Sequence, residues 1–377
     1  VDFSYTEVQQ MLQDQVQKFV QKSYDFETRN QIIASEKGYS EENWALFAEL
    51  GWLTVPFSED DGGLGGSAVD LMVMMEEFGK ANVVEPYLPN SVLAGGLIAR
   101  LADESQKAEL LEALMTGGQQ FACAYAETGS RFNLARVSTT AKTDGDTITI
   151  DGEKVAVFNA ANADKILVIA RESGAETDRD GVSAFLLDAN AEGLSVQRFS
   201  TIDGKSAGIV RLQSVQATAD QRLGTAGQAL AALEEVIDVA TVGVCAEAVG
   251  AMEMLLQKTV EYSKTRKQFG VPIGTFQALQ HRMADMFIEC QLARSIVIMA
   301  AMKLDSSASD VDKRKAVSAA KSKVGNAIRL VGQEAIQIHG GIGTTEELDV
   351  GHLFKRVTAI AVLFGDTDYH SERFAAL

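Results

Sequence analysis

The sequence predicts an α+β multi-domain protein: a helical N-terminal domain over residues 1–120, an antiparallel β middle domain over 121–224 and a C-terminal α-helical bundle over 225–377. Two observations carry this prediction. Apolar residues recur at helical spacing through the first third and again after Gly224, and between them the pattern changes to short β-rich runs separated by Asp-Gly pairs. Length agrees, because 377 residues exceed the roughly 250–300 at which a single core stops growing.

In chain order, Val8, Met11, Leu12, Val16, Phe19 and Val20 share one helical face, with Ser4 and Glu7 forming a capping-box pattern ahead of them. Ser40 can cap a second helix carrying Trp44, Phe47 and Leu50, which Gly51 ends. The run from Pro56 to Gly66 is rich in Gly and Asp and reads as a loop. Helical patterns then run from Val69 to Gly79 and from Ser91 to Met115. The β runs are Thr147 to Ile150, Lys165 to Ile169 and Ser183 to Leu187, with turns expected at Asp144-Gly145, Asp151-Gly152 and Asp180-Gly181. Three long helical segments follow, about 226–266, 276–304 and 311–338, with a shorter one near 350–364. Helices of that length usually form a bundle.

Composition narrows the function classes. A net charge of -18 opposes any broad polyanion-binding surface, so nucleic acid and anionic membrane are not expected partners. Cys123, Cys245 and Cys290 are odd in number and widely spaced, which argues against a disulfide framework or a metal site and for a cytoplasmic location. No run is expected to reach the ~18 apolar residues of a membrane span, and Val1-Asp2-Phe3-Ser4 lacks the basic and apolar regions of a signal peptide.

Two runs carry chemistry, Arg266-Lys267-Gln268-Phe269-Gly270 and Gln337-Ile338-His339-Gly340-Gly341-Ile342-Gly343. Arg266 falls at the end of a long helix, where a cation is favoured and a guanidinium can fork two bonds to a phosphate. The glycines let backbone approach a ligand closely, although a helix-terminating turn explains them equally. His339 reads as a packed or capping histidine.

Taken together, these motifs resemble the acyl-CoA dehydrogenase superfamily along the whole chain, in particular the small subunit of the pimeloyl-CoA dehydrogenase type. The resemblance rests on Asp2-Phe3-Ser4 with Glu7 and Gln10, and on Gly51-Trp52-Leu53-Thr54-Val55-Pro56 leading into Gly62-Gly63-Leu64-Gly65. It rests further on Tyr262 through Gly270 with Phe276-Gln277-Ala278-Leu279-Gln280-His281, and on Gln337 to Gly343. It implies three domains enclosing FAD and an acyl-CoA thioester; a carboxylate removes the α proton while the flavin accepts a β hydride. It also implies an oligomer, a dimer of dimers, in which each FAD is shared across an interface, and an electron-transfer flavoprotein as acceptor. By resemblance, Arg266, Gln268, Phe269, Ile273, Phe276, Gln277, Gln337, Gly340 and Gly341 form the half of the site that grips the neighbouring subunit's FAD.

The other half departs from the family. A gap-free match from Glu127 to Thr139 and Ala141 puts Ala126 where a flavin-bonding threonine belongs and Phe132 where a small serine meets the CoA chain. The Trp-x-Thr segment that covers the flavin becomes Ala156-Val157-Phe158, and the only tryptophans are Trp44 and Trp52. Counting from Gln337, the glutamate of Glu-Gly-Thr falls on Phe364. The alternative base position matches Ala240, and the arginine after it matches Thr241.

Three carboxylates are candidate substitutes. Asp366 lies two residues past the usual position, in a loop where helix capping is the plain alternative. Glu247 lies seven residues beyond Ala240, roughly 10 Å along the helix, with a buried ion pair as its alternative. Asp238 points to a different side from Ala240. Three readings follow: a subunit of a heteromeric dehydrogenase, a heterotetramer, that completes a catalytic partner's FAD site; a self-sufficient homo-oligomer with a relocated base; and a non-catalytic acyl-CoA-binding or scaffold homologue.

Overall fold

The structure, a computed structural model, describes residues 5–377; the Ser4 capping pattern lies outside them. Helix α1 (Glu7–Ser23) has Thr6 as its cap instead: Thr6 Oγ1 accepts from Gln9 N at 3.2 Å, and Gln9 Oε1 accepts from Thr6 N at 3.0 Å. A helix absent from the sequence reading, α2 (Phe26–Ala34), follows, with Asp25 Oδ1 accepting from Thr28 N. Ser40 caps α3 (Glu41–Glu49) through Asn43 N, and Gly51 turns the chain at φ 73°. Helix α4 spans Ala68–Ala81.

The continuous helix expected from Ser91 to Met115 is broken. A π-helical stretch (Leu88–Ala94) leads into α5 (Gly95–Leu101), and α6 (Glu104–Met115) starts afresh from a capping box between Asp103 and Gln106. The local cap outweighs the continuing apolar period.

The strands are β1 (Phe121–Ala124), β2 (Thr140–Asp144), β3 (Thr147–Phe158), β4 (Lys165–Arg171), β5 (Val182–Asp188), β6 (Leu194–Ser200), β7 (Ser206–Ala217) and β8 (Arg222–Leu223). They are ordered β6-β7-β3-β2-β4-β5-β8, largely antiparallel, with β1 added parallel to β4 and a single parallel bridge between β2 and β4. Ile148, Ile150, Ile166, Val168, Phe185, Leu187 and Val210 make its core. Asp144-Gly145 does open the β2–β3 hairpin. Asp151-Gly152 does not turn the chain: it lies inside β3 at a register shift against β7, where a Cβ on Gly152 would come within 2.4 Å of Thr139 Oγ1.

Beyond the sheet run α7 (Leu230–Thr265), a short hairpin of β9 (Lys267–Gln268) and β10 (Val271–Pro272), α8 (Gln277–Asp305), α9 (Asp310–His339), α10 (Asp349–Val362) and α11 (Thr367–Ala376). One expectation is corrected here. Among the described residues α7 is long and apolar enough to cross a membrane, with a window of mean hydropathy 1.6, but 78% of that window is buried inside the fold. A core helix meets the same criterion as a membrane span.

The chain forms two compact units. One gathers Ala68–Val83 and Thr241–Leu377 with the segment ending at Gln31; the other comprises Ile32–Ser67 and Val84–Ala240. In the first, α4 meets α7 backbone to backbone: a Cβ on Gly79 would lie 1.9 Å from Glu247 O, and one on Gly250 would lie 1.9 Å from Glu76 O. Arg294 on α8 ties the same two helices together, reaching Glu76 at 2.7 Å and Glu253 at 2.8 Å.

Candidate active site

The segment after α7 is shaped by a tight turn. Residues Lys267–Gln268 pair with Val271–Pro272, leaving Phe269 and Gly270 as a two-residue loop with φ of 52° and 82°. Positive φ at both positions is the signature of a type I′ hairpin, and a phenylalanine adopts it only at some strain. The turn leaves the Phe269 ring 92% exposed, edge-on to Phe276 at 6.2 Å between centroids.

The second motif is held to the first by a ring stack. Tyr262, one turn before Arg266 on α7, lies 4.4 Å from His339 with planes 24° apart. His339 is buried, its Nδ1 is 2.8 Å from Ala335 O, and burial pulls its imidazole below the usual range, so it serves as a packed histidine. Gly340 ends α9 at φ 67°, and a Cβ on Gly340 or Gly341 would meet nothing within 4 Å. This stretch is bare backbone facing open space. Arg266, Gln268, Phe276, Gln277 and Gln337 are exposed as well, whereas Ile273 is buried and its N donates to Arg266 O. A guanidinium, three carboxamides, uncovered glycine backbone and the N-terminus of α8 suit a pyrophosphate-bearing group. This half fits the adenosine pyrophosphate of FAD.

The residues on the sheet do not present the isoalloxazine half in the same way. Glu127 anchors that region: Lys154 Nζ lies 2.6 Å from Glu127 Oε1, and Ser138 N, Ser138 Oγ and Thr139 N donate to the same carboxylate. Burial pushes the carboxyl up, but Lys154 and these donors outweigh it and hold the group at about 2. The ordered loop nevertheless offers little to a flavin. Ala126 carries no hydroxyl, and its carbonyl is taken by Val155 N at 2.9 Å. Phe132 is half-buried beneath the Arg131 guanidinium, 5.3 Å from its ring. Ala156, at φ 51° on the bulge of β3, puts a methyl group where a covering ring belongs.

The position matched to the family's base is similarly well built and chemically blank. Phe364 is buried with φ 58°, followed by Gly365 at φ 122°. Two buried side chains hold this turn. His370 Nε2 is 3.0 Å from Phe364 O, and Lys321 Nζ donates to Ile360 O, Ala361 O and Gly365 O at 3.0, 3.1 and 2.6 Å. Lys321 therefore caps the C-terminus of α10. Burial brings its ammonium down to about 8, with Cys245 and Asp366 opposing.

The candidate carboxylates have structural partners. Glu247 Oε1 and Oε2 take a bidentate pair from Arg356 at 2.7 and 2.6 Å, both side chains buried. Asp366 caps α11 by accepting from Tyr369 N at 2.9 Å. Asp238 is buried on α7. Sequence reasoning missed Lys154 and Lys321, and it named Tyr262 only as part of a motif, without its stack on His339. A lysine among small apolar helix positions, as in Ala319-Ala320-Lys321, was the available signal for one of them.

Comparison with known proteins decides the family. Its acyl-CoA dehydrogenase N-terminal, middle and C-terminal domain models match residues 6–118, 122–215 and 230–376. The chain belongs to the acyl-CoA dehydrogenase family. Within this family it is 27% identical over 367 residues to the caffeyl-CoA reductase-Etf complex subunit CarC of Acetobacterium woodii, covering 96% of this chain and 95% of that protein. Its fold matches a chain of the ChsE4-ChsE5 complex from Mycobacterium tuberculosis with a TM-score of 0.89 and 25% identity, covering 100% of this chain and 98% of that one. It also matches PigA, solved with FAD and proline, with a TM-score of 0.91 and 25% identity, covering 100% and 98%. The acyl-CoA dehydrogenase family models thus cover the helical N-terminal, β middle and helical C-terminal parts of the chain in order.

Proposed function

We propose that this chain is one subunit of a heteromeric, FAD-dependent acyl-CoA dehydrogenase, of the pimeloyl-CoA dehydrogenase small-subunit type. In this assembly, α,β-dehydrogenation of an acyl-CoA thioester takes place in a catalytic homologue. Bound FAD supplies the hydride acceptor there. The present chain contributes Arg266, Gln268, Phe269, Ile273, Phe276, Gln277, Gln337, Gly340 and Gly341, which orient and neutralise the dinucleotide tail of the partner's FAD. One observation carries the reading: the exposed grip is intact while Phe364 and Ala240 leave no carboxylate at either base position and Ala126 and Ala156 leave the flavin cradle bare. The structural engagement of Glu247 and Asp366 argues against a relocated base.

Two relatives support the assembly. The ChsE4-ChsE5 relative is described as a complex of two chains, and the CarC relative as part of a complex with an electron-transfer flavoprotein. The proposal includes that acceptor, a heterotetramer, a cytoplasmic location, and domain limits of 1–120, 121–224 and 225–377. The test compares the chain purified alone with the chain co-expressed with a homologue that carries the glutamate. Little flavin alone and yellow, active protein together are expected. Stoichiometric flavin and turnover in the isolated chain would establish the self-sufficient reading. Binding of a fluorescent acyl-CoA without flavin in any assembly would establish the scaffold reading.

A further inference from the structure

A cleft of about 620 Å³ opens in the first unit among α1, α2, α4, α7 and α10, and none of the dinucleotide-gripping residues lines it. Its wall contains two buried acceptors that the protein leaves unused. Glu77, on α4, has no exposed side-chain surface; its Oε1 accepts from Gln13 Nε2 at 3.2 Å and Lys80 Nζ at 2.8 Å, while its Oε2 has no hydrogen-bond partner among the described residues. Asn82, just past the end of α4, is similar: its Nδ2 donates to His352 O at 3.3 Å, and its Oδ1 has no partner among the described residues. The His352 carbonyl fixes the amide orientation, so the unused atom is the oxygen. A buried polar atom left without a partner costs about 1–3 kcal/mol, which a ligand donor relieves.

The charges around the cleft select the sign of that donor. Asp25, Glu77, Glu253 and Asp349 face Arg29, Lys80 and Lys258, four carboxylates against three cations. Each cation is already engaged. Lys80 is with Glu77, Lys258 lies 2.5 Å from Asp349, and Arg29 Nε donates to Asn82 O at 2.7 Å. An anion entering the cleft therefore meets no unengaged cation and adds to a net negative lining, whereas one positive charge balances it. Val20, Phe26, Met254 and Leu353 add hydrocarbon and aromatic surface beside the neutral carboxamides of Gln17, Gln21 and Gln257, with Phe26 edge-on to His352 at 4.9 Å. Apolar walls with a few convergent polar atoms are the usual make-up of a small-molecule site.

From this arrangement we infer that the cleft binds a small organic ammonium ion, its N–H groups donating to Glu77 Oε2 and Asn82 Oδ1 and its hydrocarbon body resting on Phe26 and Met254. The site is separate from the FAD-completing role, because no residue serves both.

The test is isothermal titration calorimetry on the full chain with phenethylammonium chloride, and with 2-phenylethanol and 3-phenylpropanoate as neutral and anionic bodies of similar size. Saturable one-site binding of the amine alone is expected. Glu77→Gln, which retains shape and removes the charge, should weaken it at least about tenfold, the loss expected for a charge-assisted hydrogen bond. Met254→Trp should abolish binding by filling the cleft with the unfolding midpoint retained. Equal binding of the alcohol, no saturation by the amine because the cleft holds only water, or undiminished binding in Met254→Trp overturns the inference. If Glu77→Gln does not fold, the three-ligand comparison on the unaltered chain still decides. No flavin or thioester is present in these titrations, so their outcome is independent of the heteromer experiment.

Discussion

Lys154 Nζ lies 2.6 Å from Glu127 Oε1, with the lysine side chain fully buried and the glutamate 4% exposed. The pair joins β3 to the loop after β1. It also holds the backbone around Ala126 in register with Val155, so the cradle keeps its shape where its chemistry has changed. Lys154→Met leaves the Glu127 carboxylate buried with its main counter-charge removed, and should destabilise the chain by about 3–5 kcal/mol. Lys154→Met combined with Glu127→Leu should recover much of that loss, since an apolar pair has no charge to desolvate. Denaturant titration of the two variants checks both values.

Acid should loosen the turn at Phe364 through His370. Burial first, and the Lys321 ammonium second, hold this imidazole down at about 4, with Arg373 acting in the same direction and the Phe364 carbonyl and Asp366 opposing. The folded value lies below the ordinary 6.5, so the unfolded chain binds the extra proton. The stabilisation is therefore fully present above pH ~6.5 and is lost as pH falls through ~4, up to roughly 3 kcal/mol in all. Unfolding free energy measured from pH 7 to 4 should fall steeply in the native chain and distinctly less in His370→Gln, which retains a donor for Phe364 O.

Legibility in the sequence followed the range of the interaction. The long helices were readable because their apolar period persists: α7, α8 and α9 begin and end within about four residues of the expected 226–266, 276–304 and 311–338. Helix α2 was not, because Phe-Glu-Thr-Arg-Asn-Gln-Ile-Ile-Ala carries no apolar stripe and its formation depends on contacts such as Arg29 with Asn82, 53 residues away. Asp151-Gly152 misled for the opposite reason: a good turn dipeptide was overridden by pairing along the whole of β3. At the site, residue identities were visible but their anchors were not. Lys154 and Glu127 are 27 positions apart and Lys321 and Gly365 are 44 apart, and nothing local in the chain couples them.

Arg266 supplies the clearest test of the cofactor grip. In the co-expressed assembly, Arg266→Ala should weaken FAD retention at least about tenfold by removing a charge-assisted pair of hydrogen bonds. Its exposure predicts little effect on the stability of the isolated chain, within about 0.5 kcal/mol. Flavin absorbance after dialysis, read beside a melting curve, separates the two effects. Unchanged retention would remove Arg266 from the site.

Gly250 offers a prediction in which two general rules conflict. Replacing a glycine inside a helix with alanine ordinarily gains about 1 kcal/mol from propensity alone. Here the new methyl group would lie 1.9 Å from Glu76 O and 3.1 Å from Lys80 N, both rigid backbone of α4. The same holds in the other direction for Gly79 against Glu247 O, so α4 and α7 cannot separate at one contact without straining the second. Their separation would also pull Glu76 from Arg294 and shift Glu247 relative to Arg356. Overpacking of this kind costs typically 1–3 kcal/mol when side chains can yield, and more where backbone must move. Gly250→Ala should therefore be net destabilising by several kcal/mol, with a lowered denaturation midpoint. A stabilised Gly250→Ala protein would show that the two helices do not meet at this glycine.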